Sequence, residues 1–133
     1  MILMIDDNPT DVLLMKEAFS FCERKNYEIH VAEDGVYAMD FLKRQGQYHA
    51  VPRPDIILLD LNMPRKNGLE VLIAVKANPE FKCIPTIVYT SSVVKEDVKA
   101  AYNSFANGYI KKSVDFDECI NDFWFSVSIL YEP

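Results

Sequence analysis

Short apolar runs divide this chain at residues 1–5, 56–59, 85–89 and 108–110, and each run is followed by polar residues. Apolar runs of this length are typical of strands that are buried on both faces of a parallel sheet. Residues 27–31 instead alternate apolar and polar side chains, which predicts a half-exposed strand at the edge of the sheet. The pattern therefore predicts five strands, of which the second is the most exposed.

Helical periodicity fills the stretches between these strands. Asn8 is a suitable N-cap, and Pro9 and Asp11 are favourable in a first turn. The further predicted helices cover residues 36–42, 69–78, 95–105 and about 115–130. We expect core-facing side chains at Val12, Leu14, Met15, Phe19 and Cys22 in the first helix, at Val94, Val98, Ala101, Tyr102 and Phe105 in the fourth, and at Phe116, Ile120, Phe123, Val127 and Leu130 in the last.

Five strands that alternate with five helices predict an α/β fold, a doubly wound parallel sheet with helices on both faces. An exposed second strand fits the flavodoxin-like strand order 2-1-3-4-5. The length of 133 residues is that of one domain, and we predict a single domain over residues 1–133. Its last part, from about 115–133, is expected to be a C-terminal helix with a short aromatic tail.

Composition narrows the classes of function. The formal net charge of −6 makes nucleic acid and anionic membranes unfavourable partners. No apolar run is long enough to span a bilayer, and no signal-peptide pattern is recognised. Cys22, Cys83 and Cys119 each lie in an apolar pattern and are interpreted as small core residues in a reducing compartment, so we expect a cytoplasmic protein. His30 and His49 are isolated, which argues against a zinc site.

Polar residues follow the predicted strands at the edge where parallel strands end. Asp6, Asp7, Asp60, Thr90 and Lys112 occupy these positions, and open α/β sheets bind ligands at this edge. Three carboxylates gathered there would resist ionisation unless a cation neutralised them, and oxygen ligands without imidazole or thiolate fit Mg²⁺. A lysine and a hydroxyl beside them suit a phosphoryl group, and a carboxylate nucleophile could form an acyl phosphate.

Each of these residues also has a structural explanation when it is taken alone. Asp6 and Asp7 could cap the first helix, Thr90 could begin the fourth, and Lys112 could be an ordinary surface lysine. Only Asp60 favours a functional role on its position alone. The combination of these chemical types at one edge favours a site over coincidence.

At these residues the chain resembles the receiver domains of two-component response regulators. The resemblance rests on Asp6-Asp7, on Asp60-x-x-Met63-Pro64-x-x-x-Gly68, on Thr90-Ser91 and on Tyr109 with Lys112. It covers the whole chain in the expected order and spacing.

The resemblance implies a role for each of these residues. Asp60 would accept a phosphoryl group from a histidine of a sensor kinase, and Lys112 would bridge to the phosphoryl oxygens. Thr90 would move to bond the phosphoryl group, and the rotamer of Tyr109 would follow. The magnesium ligands would be Asp6, Asp7, Asp60 and the backbone carbonyl of Asn62. Such a protein assists its own phosphorylation and dephosphorylation and is not a dedicated enzyme.

A closer resemblance is to small stand-alone receivers that partner with phytochrome-type histidine kinases. It rests on residues 41–48, 52–55 and 64–68 and on Phe123-Trp124. One departure is that receivers usually carry Lys-Pro with a cis peptide where this chain has Lys112-Ser113. A cis bond before serine would cost about 3 kcal/mol, so either the bond is trans and the loop follows another path, or the site stores that strain.

Output in such a receiver would pass through protein contacts, because no DNA-binding or catalytic module fits after the predicted domain. We expect a homodimer formed by the fourth helix, the fifth strand and the fifth helix, with Trp124, Phe125 and Tyr131 as exposed interface residues. The alternative is that these aromatic residues fold back on the domain.

The alternative function is an interaction module that ignores phosphate. A phosphatase of the haloacid dehalogenase type would need an acid where Asn62 stands.

Overall fold

Five parallel strands form one sheet, in the order β2-β1-β3-β4-β5. They are β1 (Ile2–Ile5), β2 (Ile29–Ala32), β3 (Ile56–Leu59), β4 (Thr86–Thr90) and β5 (Gly108–Lys111). The structure is a computed structural model, and it describes residues 1–20, 28–63, 67–91, 94–112, 115, 118–119 and 121–125. The predicted number of strands, their parallel pairing and their order are confirmed, and β2 is an edge strand as its alternating pattern predicted.

Helices follow the strands along the chain. They are α1 (Pro9–Ser20), α2 (Gly35–Leu42), α3 (Gly68–Ala77) and α4 (Lys95–Asn103), and residues 118–119 and 121–125 belong to the fifth helix, α5. The long loop before β3 contains a short 3-10 helix, Gly46–Tyr48, which the sequence pattern did not predict. No helix among the described residues is long and apolar enough to cross a bilayer.

The sheet has a hydrophobic layer on each face. Ile57 and Leu59 of β3 pack with α2, α3 and α4, whereas Ile56 and Leu58 pack with α1 and α5. All four side chains of β3 are buried, because successive residues of a strand point to opposite faces and both faces are covered. The central strand therefore delivers Asp60 directly from the core to the edge of the sheet.

Side-chain caps fix where three helices begin. Asn8 Oδ1 accepts hydrogen bonds from the backbone N–H groups of Thr10 and Asp11, at 3.0 and 3.2 Å. Asp34 caps α2 and Asn67 caps α3 in the same way. The predicted N-cap role of Asn8 is confirmed, and the first turn of α1 is held directly above the end of β1.

Trp124 is buried, so the prediction that it is an exposed interface residue is wrong. Its side chain is 7% exposed, and its ring lies 6.0 Å from Phe19 and 5.1 Å from Phe123, both edge to face. The wide indole reaches the layer between α1 and α5 from a position beside the core-facing stripe, and edge-to-face packing stabilises it there. Phe125 is 67% exposed, and Tyr131 lies outside the described residues.

Several other residues predicted to face the core are exposed. Val94, Tyr102 and Phe105 are 53%, 50% and 73% exposed, and within α4 only Ala101 is buried. Phe105 follows the end of α4 with a φ of 70°, and this left-handed backbone turns the chain away before the side chain can reach the core.

The first helix and the cysteines need smaller corrections. Leu14 is 36% exposed, so the core-facing stripe of α1 is narrower than predicted. Cys119 is buried as expected but Cys83 is exposed, while Cys22 lies outside the described residues.

Candidate functional site

The ends of four strands place the predicted residues at one edge of the sheet. Asp6 and Asp60 directly follow β1 and β3, and the Asp60 N–H donates to the Ile5 carbonyl at 2.9 Å. Thr90 is the last residue of β4, and its carbonyl accepts from the Lys112 N–H at 2.7 Å. These backbone bonds continue the sheet by one residue beyond each strand and fix the spacing of the side chains.

Lys112 is the centre of the site. Its Nζ lies 2.8 Å from Asp6 Oδ2, 3.0 Å from Asp60 Oδ2 and 3.0 Å from Asp11 Oδ2. The ammonium group also lies over the ring of Tyr89, with Nζ 5.3 Å from the ring centroid. Lys111 is exposed, so Lys112 is the lysine that lies beside the carboxylates at this edge of the sheet.

Burial and these ion pairs shift the pKa of Lys112 in opposite directions. Burial lowers its pKa, but hydrogen bonds from its ammonium group to Asp6, Asp60 and Asp11 more than offset burial, and the net effect raises the pKa. The ammonium group is therefore charged at neutral pH, and it neutralises part of the surrounding negative charge.

Two of these lysine partners, Asp6 and Asp60, also form a cluster of three carboxylates with Asp7. Asp6, Asp7 and Asp60 each offer an oxygen within 4.8 Å of the other two. Asp6 and Asp60 are 2% and 5% exposed, whereas Asp7 is open to solvent. Burial raises the pKa of Asp6. Hydrogen bonds from Lys112 and from the Asn8 N–H lower this pKa, and the nearby charge of Asp60 raises it. The net shift of the Asp6 pKa is upward, mainly because burial disfavours the charged carboxylate.

Asp60 is held from two sides. Its Oδ2 accepts from Lys112 at 3.0 Å, and its Oδ1 accepts from the backbone N–H of Asn62 at 3.1 Å. Asn62 is exposed and lines a cleft of about 630 Å³, together with Asp7 and with Asp97 of α4. The Asp60 carboxylate is thus buried and oriented, and the next two residues, Leu61 and Asn62, line the open cleft. Pro64 and Ser113 lie outside the described residues, as does the Lys112–Ser113 bond.

Thr90 is fully buried, and among the described residues its hydroxyl oxygen has no hydrogen-bond partner. Tyr109 is partly buried and pairs with Val88 on the neighbouring strand. Because residues two apart on a strand share a face, Val88 and Thr90 point the same way, and Tyr109 lies diagonally beside Thr90. A buried hydroxyl without a hydrogen-bond partner costs free energy, so a new hydrogen bond to the Thr90 hydroxyl would be favourable.

Gly68 allows the loop after Asp60 to close tightly. The Gly68 N–H donates to the Leu61 carbonyl at 3.0 Å. A Cβ at this position would lie 2.1 Å from the Asp60 carbonyl oxygen and 2.5 Å from the Leu61 Cα. The start of α3 is therefore packed against the backbone of the site residue itself, and only glycine fits there.

The contact between Asp11 and Lys112 was missed at the level of sequence, where Asp11 was assigned only a favourable position in the first turn of α1. A signal was present, because side chains on a helix lean toward its N-terminus. An aspartate in the first turn of a helix that follows a strand-ending carboxylate therefore points back over the end of that strand.

Comparisons with known proteins match this geometry. The sequence profile of the response regulator receiver domain matches residues 2–123. The chain belongs to this receiver domain family. Response regulator Rcp1 of Synechocystis is 40% identical over 129 residues, which cover 92% of this chain and 87% of Rcp1. The assigned family agrees with the resemblance inferred from Asp6-Asp7, Asp60, Thr90 and Lys112.

Two solved structures share the fold of this receiver domain. One is the phosphorylated cyanobacterial phytochrome response regulator RcpA, with a TM-score of 0.85 and 36% identity over 95% of this chain and 94% of RcpA. The other is the Mn²⁺-bound form of Rcp1, with a TM-score of 0.85 and 38% identity over 98% of this chain and 94% of that structure. The flavodoxin-like receiver fold is thus found in relatives that cover nearly the whole chain.

Proposed function

We propose that this receiver is a phosphorylation-controlled response regulator, in which Asp60 accepts a phosphoryl group from a histidine of a sensor kinase. The observation that carries this proposal is the buried Asp60 carboxylate, which Lys112 and the Asn62 N–H orient directly before the residues, Leu61 and Asn62, that line an open cleft. A bond would form between an Asp60 oxygen and phosphorus while the phosphorus–nitrogen bond breaks, and the imidazole nitrogen would keep the electron pair.

The residues present fit a divalent cation. Asp6, Asp7 and Asp60 converge with oxygen ligands only, and burial, with a further contribution from the charge of Asp60, raises the pKa of Asp6. Mg²⁺ prefers such ligands, and we propose that these three carboxylates and the Asn62 carbonyl hold it. When bound, Mg²⁺ would neutralise negative charge on the carboxylates and the incoming phosphoryl group.

Lys112 and Thr90 would act on the phosphoryl group once it is in place. Lys112 already contacts the Asp60 carboxylate, so its ammonium group needs no large movement to pair with a phosphoryl oxygen. The unpartnered Thr90 hydroxyl would gain an acceptor, and its movement would free space on the face it shares with Tyr109. Thr90→Ala is therefore expected to keep most of the phosphorylation while it weakens the response that phosphorylation controls.

The partner proposed for this receiver is a phytochrome-type histidine kinase in the cytoplasm. The support is the likeness to RcpA, whose name describes it as a phytochrome response regulator. The chain would assist its own phosphorylation and dephosphorylation, and its signal would pass through protein contacts.

We also propose a homodimer through the face formed by α4, β5 and α5. Val94, Tyr102, Phe105 and Phe125 are each at least half exposed there, and exposed aromatic residues often mark partner surfaces. Because Trp124 is buried, Phe105 and Phe125 are the better residues to replace. Sedimentation of the wild type and of Phe105→Ser, with and without a phosphoryl donor, tests this, and a wild type that stays monomeric in both states would exclude the dimer.

Intact mass after incubation with acetyl phosphate tests the central proposal. We expect the wild type to gain one phosphoryl group only when Mg²⁺ is present, and Asp60→Asn to gain none. Asp55→Asn, which removes an exposed carboxylate just before the same strand, is the matched control and should label normally. Equal labelling of Asp60→Asn would show that the acceptor is wrong, and an unlabelled wild type would favour a phosphate-independent interaction module.

A further inference from the structure

We propose that Asp11 is a positioning residue that holds the Lys112 ammonium group against the phosphoryl-acceptor carboxylate from the first turn of α1. The inference rests on the proposed function, because it concerns how the same site is kept in order. Three carboxylates, those of Asp6, Asp11 and Asp60, surround the Lys112 ammonium group. Of these, Asp11 is neither at a strand end nor part of the proposed cation site.

The lysine has as many donors as it has carboxylate partners. An ammonium group carries three protons, and Lys112 Nζ lies within 3.0 Å of one oxygen each from Asp6, Asp11 and Asp60. The Lys112 side chain is 13% exposed, and those of its partners are 1%, 24% and 6% exposed in the same order. The position of Nζ is therefore defined by three charged contacts in a largely buried setting.

Only one of these three partners would take no part in cation binding or phosphoryl transfer. Asp6 is part of the cluster that would share its charge with a cation, and Asp60 would become an acyl phosphate. Asp11 is outside that cluster, so its contact with Lys112 is the one that neither event changes. It would keep the ammonium group in place while the other two contacts are exchanged.

The start of α1 is built to hold Asp11 in this position. Asn8 Oδ1 accepts from the Asp11 N–H at 3.2 Å, and the Asn8 N–H donates to Asp6 Oδ1 at 3.0 Å. The backbone that presents Asp11 is thus bonded through Asn8 to a site carboxylate. The face of the Tyr89 ring lies 5.3 Å from Nζ, so the ammonium group contacts an aromatic ring as well as the carboxylates.

A competing arrangement would have Asp11 draw the lysine away from the acceptor. The distances argue against it, because Nζ lies 3.0 Å from Asp60 Oδ2 while it also contacts Asp11. The same lysine offsets part of the Asp11 charge, which reduces the repulsion between Asp11 and an incoming phosphoryl group. Loss of Asp11 is therefore expected to slow phosphoryl transfer rather than to speed it.

Asp11→Asn is the informative variant, and Glu17→Gln on an exposed part of α1 is the matched control for loss of one negative charge. With acetyl phosphate and Mg²⁺, we expect the saturating rate to fall about tenfold in Asp11→Asn, less than the ~10²-fold that a misplacement of about 1 Å can cause. The half-saturating concentration of acetyl phosphate should change little, because Asp11 does not contact the donor.

A second readout follows the lysine itself. The Lys112 Cε–Hε resonance, assigned by its absence in Lys112→Met, should shift in Asp11→Asn and stay in place in Glu17→Gln. A rate equal to or above the wild type, a slower rate with an unchanged Lys112 resonance, or an equal loss in Glu17→Gln would each overturn the positioning role. An unlabelled wild type would instead count against the proposed function, so the two failures are distinguishable.

Discussion

Replacement of Gly68 by alanine should disrupt the site by displacing its backbone. The added Cβ would lie 2.1 Å from the Asp60 carbonyl oxygen, and Cβ contacts under 3.0 Å are essentially never seen. The two atoms must therefore separate by at least 3.0 − 2.1 = 0.9 Å. Both belong to backbone or are fixed to it, so no side-chain rotation can relieve the contact, and either the start of α3 or the end of β3 must move.

Two effects of different size follow from this displacement. Overpacking of this kind costs about 1–3 kcal/mol of unfolding free energy. Displacement of the Asp60 backbone by nearly the same distance moves its carboxylate relative to Lys112, and misplacement of about 1 Å can slow a reaction ~10²-fold. We expect Gly68→Ala to melt earlier than the wild type and, at a temperature where it is folded, to label with acetyl phosphate up to about a hundredfold more slowly.

Gly46→Ala provides the control for loss of a glycine. Gly46 has a φ of +58° and no atom within 4 Å of the position that a Cβ would take. Alanine there should cost about 1–2 kcal/mol through its left-handed backbone and leave the labelling rate of folded protein unchanged. If Gly68→Ala labelled as fast as Gly46→Ala after correction for the folded fraction, the close approach of α3 to Asp60 would not position the acceptor.

Two further predictions concern a structural lysine and the effect of pH. Lys76 Nζ donates to the carbonyls of Lys82 and Ile84 and to Asn107 Oδ1, so Lys76→Met should cost about 1–3 kcal/mol in denaturant unfolding. The exposed control Lys43→Met should cost little, and an equally small loss in Lys76→Met would contradict the role of these bonds. The pKa of Lys112 is raised above its usual 10.5 in the folded protein, so its contribution to stability is complete below pH 10.5 and is lost as pH rises through the folded value. In metal-free buffer, the difference in unfolding free energy between the wild type and Lys112→Met should shrink above pH 10.5, and a constant difference would refute the ion-pair explanation.

The sheet was predictable because its signal is local and strong. Apolar runs at β1, β3 and β4 allow few structures other than buried parallel strands, and the residues that follow them must then meet at one edge. This reasoning places Asp6, Asp60, Thr90 and Lys112 together at that edge.

The remaining features depend on tertiary packing that periodicity does not encode. On α4, apolar residues outnumber the positions that face the core, so spacing alone could not tell that Ala101 is buried while Tyr102 is exposed. The burial of Trp124 depends on Phe19, a residue of another helix. The contact between Asp11 and Lys112 joins residues 101 positions apart, so the place of Asp11 in the first turn of α1 indicates the strand end that it faces but not the residue that it contacts there.

The place of β5 at the edge of the sheet has a consequence for local unfolding. Lys112 follows a strand that pairs only with β4, whereas Asp6 and Asp60 follow strands that have neighbours on both sides. Edge strands open more easily than central ones, so amide exchange should be faster in β5 than in β3. Each such opening would remove the Lys112 ammonium group from Asp6 and Asp60. A divalent ion bound by these carboxylates should therefore slow amide exchange in β1 and β3 more than in β5.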